Sequence, residues 1–220
     1  MEHVFVYGDS MSWGIVPGSR RRLPFEARWP GALEIELRRS GRDVRVTEDC
    51  LNGRRTVWED PFKAGRNGRL GIEQRIEAQS PLDLVIVMLG TNDFQAPHQN
   101  LAWHSSQGLA SIVGAIRLAP IEPGMPVAPI LVVAPPPVSV PSGLMAEKFA
   151  GAAEKGRGAA EAYRRVADEL GCSFFDAGTV IRTSPVDGVH LDEADHRRLG
   201  QALAPSVSAL LSVAVSSAAQ

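Results

Sequence analysis

One serine, one aspartate and one histidine carry the first chemical signal in this chain. Ser10 lies in VFVYGDSMSWG, and Asp187 and His190 lie in DGVHLDEAD. A serine hydroxyl is a weak nucleophile and needs a base, normally histidine, to take its proton. The base in turn needs a carboxylate that holds its tautomer and stabilises the imidazolium. The step from Asp187 to His190 is short enough for one turn to present both side chains. A tetrahedral oxyanion needs donors already aimed at it. Here the Ser10 and Gly53 backbone N–H groups and the Asn92 side chain are the candidates, in the stretches GDS, LNG and GTND. The set is a full inventory for acyl transfer: Ser10 to attack, His190 to take its proton, Asp187 to orient His190. Asp9, Trp13, Asn52, Thr91, Phe94 and Val189, neighbours in the same stretches, are the expected pocket wall.

Each residue also has a plainer role open to it. Ser10 could serve only as a helix N-cap, a position serine favours. LNG and GTND could be ordinary turns. Ser12 is a rival nucleophile, but it falls where a helix should already have begun. Asp192 and Asp195 fit a capping box at the start of the last helix. The group Asp187, His190, Asp192, Asp195 and His196 matches no defined metal spacing, so no metal is expected.

Elements that could hold these residues together are legible in the apolar pattern. Val4–Tyr7, Val44–Val46, Leu82–Leu89, Ile130–Ala134 and Ser173–Asp176 are short apolar runs bounded by Gly, Pro or charge, as strands should be. LDLVIVMLG is apolar on both faces, which fits a central strand covered on each side. Pro30, Leu33 and Leu37 with Gly41 as a stop predict one helix. Leu109, Ile112, Val113 and Ile116 predict another. A helical stretch over Leu144–Leu170 is weakened by Gly151, Gly156 and Gly158. The last helix is expected from about Glu193 to Leu211. Strands alternating with helices give an α/β fold with a parallel sheet covered on both faces. In such sheets ligands bind beyond the carboxyl ends of the strands. The candidate residues all fall at those ends.

Bulk properties narrow the classes further. The 220 residues, 44% apolar and 22% charged, suit one soluble domain, taken as residues 1–214 with a frayed tail at 215–220. A net charge of −2 argues against a nucleic-acid partner. The run Arg20, Arg21, Arg22 reads as solvated surface. Cys50 and Cys172 lack metal spacing and are expected to be free thiols in a reducing compartment. No run approaches the length of a membrane span, and no secretory pattern opens the chain, so a cytoplasmic location without membrane attachment is expected. A flavodoxin-type nucleotide site would need a phosphate-cradling loop that GDSMSWG does not provide.

GDS, NG, GTND and DGVH, in that order at successive strand ends, resemble the SGNH (GDSL-type) hydrolases. GDSMSWG, ARWPG, LVVAPPP and FFDAG more narrowly resemble the bacterial arylesterase/acyltransferase branch. The resemblance spans about Val4 to Leu211. It implies a flavodoxin-like three-layer α/β/α sandwich on a five-stranded parallel sheet, no metal or organic cofactor, and a homo-oligomer. It also implies a serine esterase acting on small short-chain acyl or aryl esters, with acyl transfer to alcohols in some members. The positions of Ser10, Gly53, Asn92, Asp187 and His190 match the family's functional residues. Met11 replaces the leucine of the family name, a volume-conserving change, and the segment between Val16 and Arg28 is shorter than in the acyltransferases. A carbohydrate O-deacetylase, a lysophospholipase or a thioesterase is the alternative on the same fold. A catalytically silent binding module is the non-enzyme alternative, since fold alone does not give function. Trp13, Trp58, Phe94 and the prolines after the fourth strand favour a narrow, apolar pocket.

Overall fold

The computed structural model describes residues 1–218, with side chains through Ser212. Of the tail 215–220, expected to fray, the backbone of residues 215–218 continues the last helix, which was expected to end near Leu211, and residues 219–220 lie outside the described residues. In chain order the regular elements are β1 (Glu2–Gly8), α1 (Ser10–Trp13), α2 (Trp29–Arg39), β2 (Val44–Cys50), α3 (Ile72–Gln79) and β3 (Leu84–Met88). They continue with α4 (Ala102–Arg117), β4 (Ile130–Ala134), α5 (Ala152–Lys155), α6 (Ala159–Glu169), β5 (Ser173–Asp176) and α7 (Glu193–Ala218).

All strand pairs are parallel, and the order across the sheet is β2-β1-β3-β4-β5. Side chains alternate between the faces of a strand, and β1 shows what that does here. Val4 and Val6 join an apolar cluster with Trp29, Leu33, Leu203 and Val207, so α2 and α7 cover that face. Phe5 and Tyr7 join the opposite cluster with Ile76, Ile112 and Val166, so α3, α4 and α6 cover the other. The result is the expected α/β/α sandwich. Met11 is buried in the first cluster, where a leucine-sized side chain belongs.

Two helical expectations change on folding. The stretch Leu144–Leu170 is broken into a 3-10 turn at Gly143–Met145, the short α5, and α6. Gly151 and Gly158 stand at φ +74° and +76° immediately before α5 and α6. A left-handed residue interrupts the i to i+4 ladder, and glycine adopts it without a Cβ clash. Helix α3 was not anticipated. It is eight residues long and its buried positions are Ile72 and Ile76, too short a stripe to stand out.

The chain runs from β1 outward to β2, then back across to β3 on the other side. The crevice at this reversal, beyond the carboxyl ends of β1 and β3, is where open α/β sheets bind ligands. Ser10 follows β1, Gly53 lies beyond β2 and Asn92 follows β3. The fold thus delivers three distant loops to one rim.

Candidate active site

The local structure around Ser10 answers the cap question. Asp9 is the N-cap of α1, its Oδ1 accepting from the Met11 N–H at 2.9 Å. Ser10 is the first helical residue, and its hydroxyl has no capping duty. It lies 3.2 Å from His190 Nε2. His190 Nδ1 lies 2.7 Å from Asp187 Oδ2. Asp187 Oδ1 accepts the N–H groups of Val189 at 3.0 Å and His190 at 2.9 Å, and Gly18 N–H donates to Oδ2 at 3.3 Å. Burial alone would raise the Asp187 carboxyl. The hydrogen bonds from the His190 ring and from these backbone N–H groups outweigh it and hold the acid well below the usual carboxylate range. Asp187 therefore faces the imidazole as a carboxylate.

The turn carrying the pair depends on Gly188, at φ +75°. A Cβ there would collide with the Val140 carbonyl, so a side chain is excluded on both backbone and packing grounds.

Ser12, the rival nucleophile, is fully buried, and its Oγ accepts from Trp29 Nε1 at 3.1 Å. His196 is also buried behind the site, with Nδ1 accepting from the Trp29 N–H at 3.3 Å. Desolvation, helped by the nearby Arg28 and His190, pushes its pKa down to about 3, so it stays neutral.

Of the expected oxyanion donors, the Ser10 and Gly53 N–H groups meet no acceptor among the described residues. Asn92 is placed differently. Its Nδ2 donates to Asp9 Oδ2 at 3.0 Å and to the Arg54 carbonyl at 3.1 Å. To serve an oxyanion it must share or give up one of these bonds. Its Oδ1 accepts from Gln95 Nε2 at 2.6 Å, which fixes the orientation of the amide. Gln95 Oε1 accepts from Arg55 Nη2 at 2.6 Å, and Arg55 pairs with Asp60 at 2.8 Å. Arg55 is completely buried, and Gln95 and Asn92 nearly so. This polar chain from Asp60 to Asn92 was invisible in the sequence, because LNGRRT gives no sign that its second arginine turns inward.

A cleft of about 290 Å³ opens over Ser10 and His190, and Asn52, Gly53 and Asn92 line it as expected. Ile15, Gly18, Ser19 and Arg20 contribute from one loop, and Leu144, Met145 and Lys148 from the segment before α5. The loop after α1 is thus part of the cleft and touches the Asp–His pair through Gly18. The other expected wall residues do not line this cleft. Asp9 is buried as the cap. Trp13 is half-buried beneath the Arg22 guanidinium, 4.7 Å from its ring. Val189 packs with Phe94 and Phe149 in a small apolar cluster. Thr91, Phe94 and Pro135–Pro137 line a separate, more apolar hollow beside α5 and α6. The cleft is consequently more polar than the aromatic residues suggested.

Asp9 supplies a test of the site's electrostatics. Desolvation pushes its pKa up to about 6, against the lowering pull of the Met11 N–H, His190 and Arg54. Between about pH 4, where an unfolded aspartate titrates, and about pH 6 the native state holds a proton that the unfolded chain has released. Native stability then falls as pH rises through that window. Urea unfolding of wild type and Asp9→Ala should show the wild-type advantage shrinking by on the order of 2 kcal/mol from pH 4 to pH 7. A pH-independent difference would mean that Asp9 is ionised throughout.

The arrangement is competent for acyl transfer: a hydroxyl against an imidazole nitrogen, a carboxylate behind the ring, and free N–H donors on the same rim. Comparison with known proteins agrees with it. A model of the GDSL-like lipase/acylhydrolase family matches residues 6–198. The chain is similar to the solved structure of Est24, a carbohydrate acetylesterase from Sinorhizobium meliloti, at 34% identity and TM-score 0.89. It is similar to the inhibitor-bound aryl esterase of M. smegmatis at 34% identity and TM-score 0.90. A putative arylesterase from Agrobacterium tumefaciens strain C58 matches at 37% identity and TM-score 0.86. In each case 96% of this chain and 100% of the other are covered. No curated protein is matched by the chain. Among the described residues no helix is long and apolar enough to cross a membrane.

Proposed function

From the premise that the chain belongs to the GDSL-like lipase/acylhydrolase family, we propose that it hydrolyses small short-chain acyl or aryl esters through an acyl-serine intermediate on Ser10. The observation that carries this reading is the relay of 3.2 Å from Ser10 Oγ to His190 Nε2 and 2.7 Å from His190 Nδ1 to Asp187 Oδ2. Ser10 Oγ forms a bond to the ester carbonyl carbon as its proton passes to His190 Nε2. The carbonyl oxygen becomes an oxyanion facing the Ser10 and Gly53 N–H groups, with Asn92 as a third donor. The C–O bond to the alcohol breaks, and the departing oxygen takes the proton from His190. Water then repeats the sequence on the acyl-serine. His190 takes its proton, the acid leaves, and the hydroxyl of Ser10 is restored. Asp187 remains a carboxylate throughout and stabilises the imidazolium formed in each half.

A carbohydrate acetate is the second reading. The Sinorhizobium meliloti carbohydrate acetylesterase supports it, as does a cleft wall that includes Ser19, Asn52 and Ser142. An alcohol in place of water in the second half would make the reaction an acyl transfer on the same residues.

A p-nitrophenyl dialkyl phosphate tests the reading directly. One equivalent of p-nitrophenol should be released, with one dialkylphosphoryl group on the peptide containing Ser10 by mass spectrometry. Modification at Ser12, or none, would remove Ser10 as nucleophile. Added methanol then tests transfer: an ester-to-acid product ratio no higher than the methanol-to-water ratio would restrict the reaction to hydrolysis.

A further inference from the structure

The cleft's charged groups are unevenly partnered. Five charged side chains line it with His190: Arg20, Asp60, Lys63, Lys148 and Asp187, with the two acids already committed. Asp60 pairs with Arg55 at 2.8 Å, and Asp187 is held by His190 at 2.7 Å. The three cations come from three separate segments: the loop after α1, the loop after β2 and the turn before α5. Among the described residues none of the three forms an ion pair. Neighbouring arginines do: Arg22 and Arg28 pair with Glu48, and Arg54 with Asp49.

An exposed lysine or arginine is ordinarily solvated surface and carries no message. Three cations without an ion-pair partner converging on one concave site differ, because a cleft with low-dielectric walls concentrates the field. The net charge of the chain is −2, so the positive rim is a local inversion. Lys148 senses its neighbours. Partial desolvation lowers its ammonium pKa, and Arg55, Lys63 and Arg20 push it further down against the single upward pull of Asp60. An anion entering the cleft would relieve that crowding. The run Arg20–Arg22 also divides on folding: Arg22 turns back onto Trp13 and Glu48, while Arg20 reaches the cleft.

We propose that this cleft selects esters carrying an anionic group, with Arg20, Lys63 and Lys148 as the specificity-determining residues. The proposal rests on the esterase reading above and names its substrate class. The anion sits on either the acyl or the alcohol side of the ester, and the two arms of the test separate these. 4-Acetoxybenzoate carries a carboxylate on the leaving group, and 4-nitrophenyl hemisuccinate carries one on the acyl group. Each is compared with its neutral amide counterpart as a ratio of kcat/KM, anionic over neutral.

At low ionic strength the wild-type ratio should exceed unity by about tenfold in at least one arm, the size expected when several weak charge contacts act together. In the same arm it should fall towards unity at high salt, since exposed charges are screened. The triple variant Arg20→Ala, Lys63→Ala, Lys148→Ala should lose most of the preference, and Lys148→Glu should push the ratio below that of Lys148→Ala. A wild-type ratio at or below unity in both arms, or one indifferent to salt, overturns the proposal without any variant being needed. A preference that survives the triple substitution also overturns the assignment. If wild type hydrolyses neither the anionic nor the neutral esters, the esterase reading falls, and this one with it.

Discussion

Replacing Ser10 with alanine is expected to abolish ester hydrolysis, lowering kcat on p-nitrophenyl acetate by about 10⁴–10⁶-fold. The only oxygen placed to attack is then gone, while the N–H donors on the rim remain and support a small residual rate. The substitution is clean because Ser10 carries no structural duty. Asp9 caps α1, and the only described partner of the Ser10 hydroxyl is His190 Nε2. The melting temperature should therefore move by no more than a few degrees, within the change expected for about 1 kcal/mol. Ser12→Ala is the matching control. It removes the acceptor of the Trp29 indole N–H in a sealed environment, so it should cost roughly 1–3 kcal/mol of stability. Ser10→Ala with activity above about one per cent of wild type would dismiss the acyl-serine mechanism.

Asp187→Asn is expected to lower kcat by about 10³–10⁴-fold with little change in KM. The reason lies in how Asp187 is held. Its Oδ1 accepts two backbone N–H groups, so an asparagine would keep its carbonyl oxygen there. Its amide nitrogen must then face His190 Nδ1. A donor at that point makes Nδ1 the acceptor and moves the ring proton to Nε2. His190 would donate to Ser10 instead of taking its proton, and the base would be lost at the further cost of only the long Gly18 N–H contact to Oδ2. The variant should still be modified by the dialkyl phosphate, but with a rate reduced in parallel with kcat. An unreduced labelling rate would show that the tautomer does not matter and that Asp187 is structural.

Much of this was readable in the residues because each local signal agreed with the global one. The five strands were recognisable since four are apolar runs with sharp boundaries, and the carboxyl ends of parallel strands must converge. Ser10, Asp187 and His190 were recognisable because their chemistry restricts the residue types so strongly. The pocket wall was much less so. Trp13, Phe94 and Val189 were adjacent in sequence to site residues, but a helix or turn points neighbours in different directions, and these three turned away from the cleft. Lys63 and Lys148 line it from segments with no periodicity, where a lysine in sequence is indistinguishable from a solvated one. Arg55 and Gln95 were hidden for another reason. Burial of the Arg55 guanidinium is sustained by Asp60 from its own loop and Gln95 from the loop after β3, and no single stretch contains the pattern.

The polar chain from Asp60 through Arg55 and Gln95 to Asn92 has a consequence for how this enzyme can change. Any substitution along it leaves a buried charge or amide without its partner, which costs far more than a lost surface contact. Residues 142–148 meet the Asp187 turn through Ser142, whose N–H donates to the Asp187 carbonyl at 3.1 Å, while Leu144 is largely exposed. The cleft thus has one wall fixed by buried polar contacts and one more replaceable wall. Substitutions on the replaceable side can change what the cleft admits without disturbing the buried amide of Asn92, which separates the residues that set specificity from those that hold the catalytic rim.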